Sequence, residues 1–216
     1  MKAIKQSHDI LTPISVGGMD ELRHIESIAR TCYKSEPAPN VDPDYITKNF
    51  VRGLIDRGHE AMLEHGSISV RCITDRGISH ELVRHRIASY AQESTRYCNY
   101  AKNKFGEEIT CIEPDFDVKN GELYAMWSFA CREAESNYLD MIERGCPPEL
   151  ARSVLPTSLK TEIVITANYR EWRNIFKLRC DRHAHPQMRE LMMDILSDFH
   201  DKIPVLFDDV WEKFLG

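Results

Sequence analysis

Arg84-His85-Arg86-Ile87-Ala88-Ser89-Tyr90-Ala91-Gln92-Glu93-Ser94-Thr95-Arg96-Tyr97 is the stretch on which the reading of this chain turns. Three basic-capable side chains stand in a row. Two serines, a glutamine and a further arginine follow within the same segment. Arg84 and Arg86 are charged at any working pH, and His85 can join them. Crowding them costs electrostatic repulsion unless an anion sits between them. Guanidinium forks suit phosphate and carboxylate, and serine hydroxyls add donors to the same oxygens. If the tail is extended, Ser94 and Arg96 share a face, because side chains alternate along a strand. By itself a short charge run is a solvated basic patch. The hydroxyls and the amide converging on this segment favour an anion site and a phosphate-bearing ligand.

Outward from that stretch the chain alternates helices and short strands. Before it, residues 9–16 read as a strand ended by Gly17-Gly18, and residues 21–33 as a helix with Leu22, Ile25, Ile28 and Ala29 on one face. Pro37, Pro39 and Pro43 mark a loop, and a helix over 45–57 can end at Gly58. Residues 66–74 alternate as a strand with Ile68, Val70 and Cys72 on one side. A short helix over 78–85 then delivers Glu81, Arg84 and His85 to the arginine-rich loop. After it come a strand at 109–112 and the longest helix, 122–144. The apolar stripe of that helix is Leu123, Met126, Trp127, Ala130, Ala134, Tyr138 and Met141, read as core. Residues 161–167 form a buried strand, and Asn168-Tyr169-Arg170-Glu171 has the form of a capping box. The helix it opens turns Trp172, Ile175 and Phe176 inward, with Arg179 one heptad after Trp172. A helix over 187–201, broken by Pro204, and the segment 205–215 close the chain. The fold expected is α+β: a mostly antiparallel sheet packed with helices, in a single domain over residues 1–216.

The net charge of −6 argues against a general nucleic-acid binder, which is usually basic. No apolar run is long enough to span a bilayer, and the first residues lack a secretory apolar core. The seven cysteines are scattered without a Cys-x-x-Cys pair, which suits free thiols in a reducing cytoplasm. His59-Glu60-Ala61-Met62-Leu63-Glu64-His65 misses the zinc-protease spacing by one position. His183-Ala184-His185 has no carboxylate motif beside it, so no metal is assigned. No Gly-x-Gly-x-x-Gly occurs, so any dinucleotide is held outside a Rossmann crevice.

Arg84-His85-Arg86 with Ser89, Ser94 and Arg96 fixes six positions in a window of thirteen, and the pattern resembles the signature of the flavin-dependent thymidylate synthases. Two further regions resemble the same family. One is Ala151-Arg152-Ser153-Val154-Leu155-Pro156. The other is Asn168-Tyr169-Arg170 with Asn174, Leu178-Arg179 and His183. His59-Glu60 through Glu64-His65 is similar to a family element near the flavin, although Ala61 stands where a hydroxyl is frequent and Glu81 where glutamine is common.

The resemblance implies FAD bound by His59, Arg84, His85, Arg86, Gln92, Asn168, Arg170, Asn174 and His183. It implies dUMP bound by Glu81, Arg84, Gln92, Ser94, Thr95, Arg96, Arg152 and Arg179, with Arg152 reaching the nucleotide from a neighbouring subunit. Arg179 is the implied catalytic residue, stabilising negative charge on the uracil ring. Methylenetetrahydrofolate would supply the carbon and NADPH the reducing power, without a cysteine nucleophile, in a homotetramer with shared active sites. From the residues alone two other classes stand: a metal-dependent hydrolase using His59, His183 and His185, and a nucleic-acid module using the Arg-His-Arg loop.

Overall fold

The computed structural model describes residues 1–102, 106–116 and 121–216. It is a mixed helix and sheet architecture with an antiparallel sheet carrying helices, as the periodicities require. The strands are β1 (Lys2–Ile4), β2 (Ser7–Ile10), β3 (Ser67–Asp75), β4 (Ala88–Gln92), β5 (Thr110–Ile112) and β6 (Lys160–Asn168). The helices are α1 (Met19–Tyr33), α2 (Pro43–Asp56), α3 (Arg76–Leu82), α4 (Gly121–Glu143), α5 (Pro148–Ala151), α6 (Tyr169–Arg179), α7 (Pro186–Lys202) and α8 (Pro204–Phe214). The four-stranded sheet has the order β2-β3-β6-β4, and β1 pairs in parallel with β5.

The chain forms two compact units from interleaved segments. The first comprises Met1–His8, Arg71–His85 and Tyr90–Val164; the second Asp9–Val70, Arg86–Ser89 and Ile165–Gly216. In the first, Tyr100, Ile109, Cys111, Cys131, Tyr138 and Leu159 make the core. Asp75 caps α3 by accepting from the Ile78 N–H at 2.7 Å, which starts that helix at the end of β3. In the second, α6, α7 and α8 share an aromatic cluster. Trp172 stacks on Phe176 at 5.5 Å and meets Phe199 edge-on at 5.0 Å, and Phe199 meets Phe207 at 5.1 Å. The Trp172 indole N–H donates to the Ile68 carbonyl at 3.0 Å, which fixes α6 to β3. Gly66 is required there: a Cβ on it would lie 2.2 Å from the Tyr169 ring.

The alternation expected of β3 and β6 is present, with Ile68, Val70 and Cys72 buried on one strand and Ile163, Ile165 and Ala167 on the other. Other boundaries move for local reasons. Pro43 is the first residue of α2 rather than loop, because Asp42 caps the helix by accepting from the Asp44 N–H and proline fits that first turn. The strand expected at 9–16 is β2, which ends at Ile10, and a 3₁₀ turn over Val16–Gly18 follows. The stripe of α4 is only partly core: Tyr138 is buried, but Leu123 is 44% and Met126 69% exposed, and Ala130 is exposed. In the first half of the helix Trp127 and Cys131 pack on the core of the unit, while Leu123, Met126 and Phe129, the last 67% exposed, form a bare face.

Candidate functional site

The arginine-rich stretch contains a strand that its composition did not announce. β4 carries Ala88, Tyr90 and Gln92 on its half-buried side and Ser89 and Ala91 outward. Its first turn is set by α3: the Arg84 N–H donates to Glu81 O and the His85 N–H to Leu82 O, each at 3.2 Å. His85 is buried at 6% exposure. The Tyr90 hydroxyl, 2.7 Å from the carbonyls of both Leu82 and His85, ties β4 to the end of the helix. Arg84 and Arg86 remain exposed.

β4 ends at Gln92, so the tail is not extended. Instead the Tyr97 and Cys98 N–H groups both donate to Ser94 O, at 3.1 and 2.9 Å, and the chain closes into a turn. Within that turn Thr95 is buried, and its hydroxyl accepts from Arg152 Nη1 at 3.0 Å. Arg96 lies 3.8 Å from Glu149. The first unit therefore gathers Thr95, Arg96 and Arg152, residues from two separate motifs. Arg152 engages the loop of its own chain here. Gln92 faces inward, its amide donating to Ser79 Oγ at 2.9 Å and Thr161 Oγ1 at 3.2 Å. Glu81 is half-buried.

The second unit holds another group. A cavity of about 390 Å³ is lined by Asn168, Arg170 and Asn174 together with Glu60, Glu171 and Lys177. The capping box expected at the start of α6 places the first of these: Asn168 Oδ1 accepts from the Glu171 N–H at 2.8 Å. Asn174 Nδ2 lies 3.3 Å from a Glu171 carboxylate oxygen. Glu171 is buried, which pushes its carboxyl above the usual range against the opposing bond from Asn174. Arg170 donates to Glu64 and lies 3.9 Å from Glu60. Glu60 and Glu64 belong to the 3₁₀ turn Glu60–His65, whose preceding residue is the exposed His59.

Arg173 was not singled out from the sequence, yet it organises this region. It is 1% exposed and makes two 2.7 Å bonds to the Asp209 carboxylate, one to the Leu206 carbonyl, and a 3.3 Å contact with Glu60. Burial works against its charge, but Asp209 and Glu60 outweigh it and hold the guanidinium protonated. Its signal was readable: Tyr169, Trp172, Arg173 and Phe176 share the spacing of one buried helix face. Lys177 gave no such signal, since it is an ordinary helical charge in sequence, whereas Glu60 and Glu171 stood inside the His59–His65 element and the capping box without a part of their own in the site.

Arg179 is the last residue of α6 and is half-buried. His183 is 79% exposed and its Nδ1 lies 2.7 Å from Asp181. The Asp181 carboxyl is held below the usual range chiefly by the His183 backbone N–H. His185 caps α7, accepting from the Gln187 N–H through Nδ1. Among the described residues no group of three or more His, Cys, Asp or Glu side chains is placed to hold a metal ion.

Flavin-type ligands present hydroxyl, carbonyl and phosphate groups. The 390 Å³ cavity offers two cations and two amides as donors, and carboxylates able to accept from ribityl or ribose hydroxyls. The amides and carboxylates fit the carbonyl and hydroxyl groups of such a ligand, while Arg170 and Lys177 each stand beside a carboxylate, Glu64 and Glu60.

The model of the family described as thymidylate synthase complementing protein matches residues 16–205. A flavin-dependent thymidylate synthase from Pyrococcus furiosus is 34% identical over 167 residues, covering 77% of this chain and 67% of that protein. One from Corynebacterium aurimucosum is 31% identical over 213 residues, covering 91% and 82%. The solved structure of a UMP/dUMP methylase, PolB from Streptomyces cacaoi, bound with 5-Br dUMP, superposes with a TM-score of 0.78 at 19% identity, over 99% of this chain and 98% of that one. That last likeness is one of fold.

Proposed function

The chain belongs to the flavin-dependent thymidylate synthase family, and from that premise we propose that it methylates dUMP to dTMP. FAD is the cofactor, methylenetetrahydrofolate the carbon donor and NADPH the reductant. The observation that carries the reading is the pairing of motifs that lie far apart in sequence. Thr95 meets Arg152 in one unit, and in the other Asn168, Arg170 and Asn174 line one cavity with Glu60 and Glu64 of the His59–His65 element. The identities of reductant and carbon donor follow from the family resemblance.

In this reading Ser94, Thr95 and Arg96, with Arg84 and Arg152, hold the nucleotide phosphate, and Gln92 and Glu81 border the ligands. Asn168, Arg170 and Asn174, with His59, His85, Arg86 and His183, hold the flavin. When bound, the flavin supplies the hydride chemistry that no side chain can. Arg179 stabilises negative charge developing on the uracil ring, and that makes the C5 carbon nucleophilic. A fixed guanidinium acts well there because it needs no reorganisation as the charge appears.

No thiolate is required, and two thiols are poorly suited to supply one. Cys180 adjoins Arg179 but is 3% exposed, and burial pushes its thiol up to about 12. Cys72 is buried and likewise pushed up to about 12. None of the seven cysteines forms a disulfide, which suits work in a reducing cytoplasm.

The enzyme acts as a homotetramer with active sites shared between subunits. The bare face of α4, with Leu123, Met126 and Phe129 exposed, supports association with further copies. The test is a visible spectrum of the purified protein, followed by anaerobic NADPH and dUMP. Flavin absorbance that NADPH bleaches, on a particle of four chains by light scattering, is the expected result. A colourless protein that retards oligonucleotides, or one carrying zinc and no flavin, overturns the reading.

A further inference from the structure

Glu93 lies inside the arginine-rich loop, between Gln92 and Ser94, and neither the anion site nor the family pattern gives it a task. In the structure all of its polar groups are engaged. Its N–H donates to Glu162 O at 2.9 Å, and its carbonyl accepts from Arg76 Nη1 at 3.0 Å. One carboxylate oxygen accepts from Lys160 Nζ at 3.0 Å and the other from the Tyr100 hydroxyl at 3.0 Å. The side chain is only 14% exposed. Tyr100 is 6% exposed, its ring is 6.0 Å from that of Tyr138, and its N–H donates to the Tyr138 hydroxyl at 3.3 Å.

The Tyr100–Glu93 bond joins residues seven apart. Between them runs the turn of Ser94, Thr95, Arg96, Tyr97 and Cys98. The bond therefore closes that turn at its base, and Lys160 fastens the closed base to β6. A cavity of about 730 Å³ lies alongside, with Glu93, Tyr100 and Lys160 in its wall. The Tyr100 ring is seated in the core beside Tyr138, and the directed polar bonds of Glu93 tie the other side of the turn to it. A desolvated carboxylate with a lysine and a phenol as partners adds little net stability, but it fixes geometry closely.

We propose that Glu93, Tyr100 and Lys160 form a positioning clamp that pre-orders the phosphate-binding turn of Ser94, Thr95 and Arg96 for the substrate. This rests on reading that turn as the holder of the dUMP phosphate. Without the clamp the turn must be ordered when the nucleotide binds, and the loss falls on affinity rather than on the chemical step. It also falls on the phosphate-bearing ligand alone, because the nucleoside has nothing for the turn to hold.

The test is Tyr100→Phe, which keeps the ring against Tyr138 and deletes the closing bond. The clamp predicts a KM for dUMP raised about tenfold, equivalent to about 1.4 kcal/mol. It predicts kcat within about twofold of the parent, with flavin content and deoxyuridine affinity unchanged. A residue that merely stabilises the fold would lower flavin content and active fraction and leave the KM alone. Glu93→Ala, which removes both acceptor oxygens, carries the same test should Tyr100→Phe fail to fold. The double variant should lose no more than Glu93→Ala, because the two groups act as one device. An unchanged dUMP KM, an equal loss of dUMP and deoxyuridine affinity, or additive losses in the double variant overturns the clamp. A parent protein that takes dUMP no better than deoxyuridine overturns the phosphate reading beneath it, and the clamp with it.

Discussion

Replacing Arg173 by methionine removes a charge from the interior while keeping most of its volume. Arg173 is 1% exposed and bonded twice to Asp209 at 2.7 Å, to the Leu206 carbonyl, and at 3.3 Å to Glu60. Breaking one side of a buried ion pair costs about 3–5 kcal/mol, because the other charge stays behind. Asp209 is 52% exposed and can turn towards water, so the cost belongs at the lower end, about 3 kcal/mol. For a chain of this size each kcal/mol moves the melting temperature by about 2–4 °C, which puts the loss at about 6–12 °C. The assay is thermal unfolding followed by circular dichroism at neutral pH. The gap should narrow in acid. Burial alone would raise the Asp209 carboxyl, but Arg173 outweighs burial and holds it below the usual range. A carboxyl depressed in the folded state contributes stability above its unfolded value, about 3.9. That stability is lost as pH falls through the lower folded value. Arg173→Met with Asp209→Asn should cost less than the sum of the two singles. Bound flavin should fall as well, since Glu60 loses its main anchor beside His59. A melting point within about 2 °C of the parent refutes the role given to Arg173.

Arg179→Ala should keep FAD bound and lower dTMP formation by about 10²–10³-fold with dUMP saturating, and near-parental turnover would make Arg179 an ordinary helix-end cation. Cys98→Ser and Cys180→Ser, singly and together, should retain flavin and most tritium release from C5-labelled dUMP; a folded, flavin-loaded and inactive serine variant would require a covalent nucleophile. Glu171→Gln should raise the melting temperature at pH 7 and leave it unchanged near pH 3. The Glu171 carboxyl is raised by burial, so its stability contribution is complete below the unfolded value and is lost as pH rises through the folded one. Equal stabilisation at both pH values would remove burial of the charge as the cause.

Much of the framework was legible because it rests on local rules. The alternation of β3 and β6, the Asn168 cap and the inward face of α6 follow from side-chain period and capping chemistry. What escaped depends on partners distant in sequence. β4 is hidden among charges because it pairs with β6, whose own alternation gives no hint of its neighbour. Pro43 is the exception, since the Asp42 cap that makes it helical is its neighbour in sequence and follows a local rule. The α4 stripe is periodic along its whole length, but periodicity does not say whether its own unit or another surface covers it. At the site, Asn168, Arg170 and Asn174 converge because one helix carries or opens onto all three. Arg173 and Glu93 needed three-dimensional partners, Asp209 in one case and Lys160 and Tyr100 in the other.

The most direct measurement is dTMP formation by the purified protein, followed by mass with ¹³C-methylene-labelled methylenetetrahydrofolate, dUMP, FAD and NADPH. Labelled dTMP should form, disappear when flavin or NADPH is omitted, and survive replacement of Cys98 and Cys180 by serine. Flavin-loaded protein that yields no labelled dTMP, or a product formed without flavin, contradicts the proposed reaction.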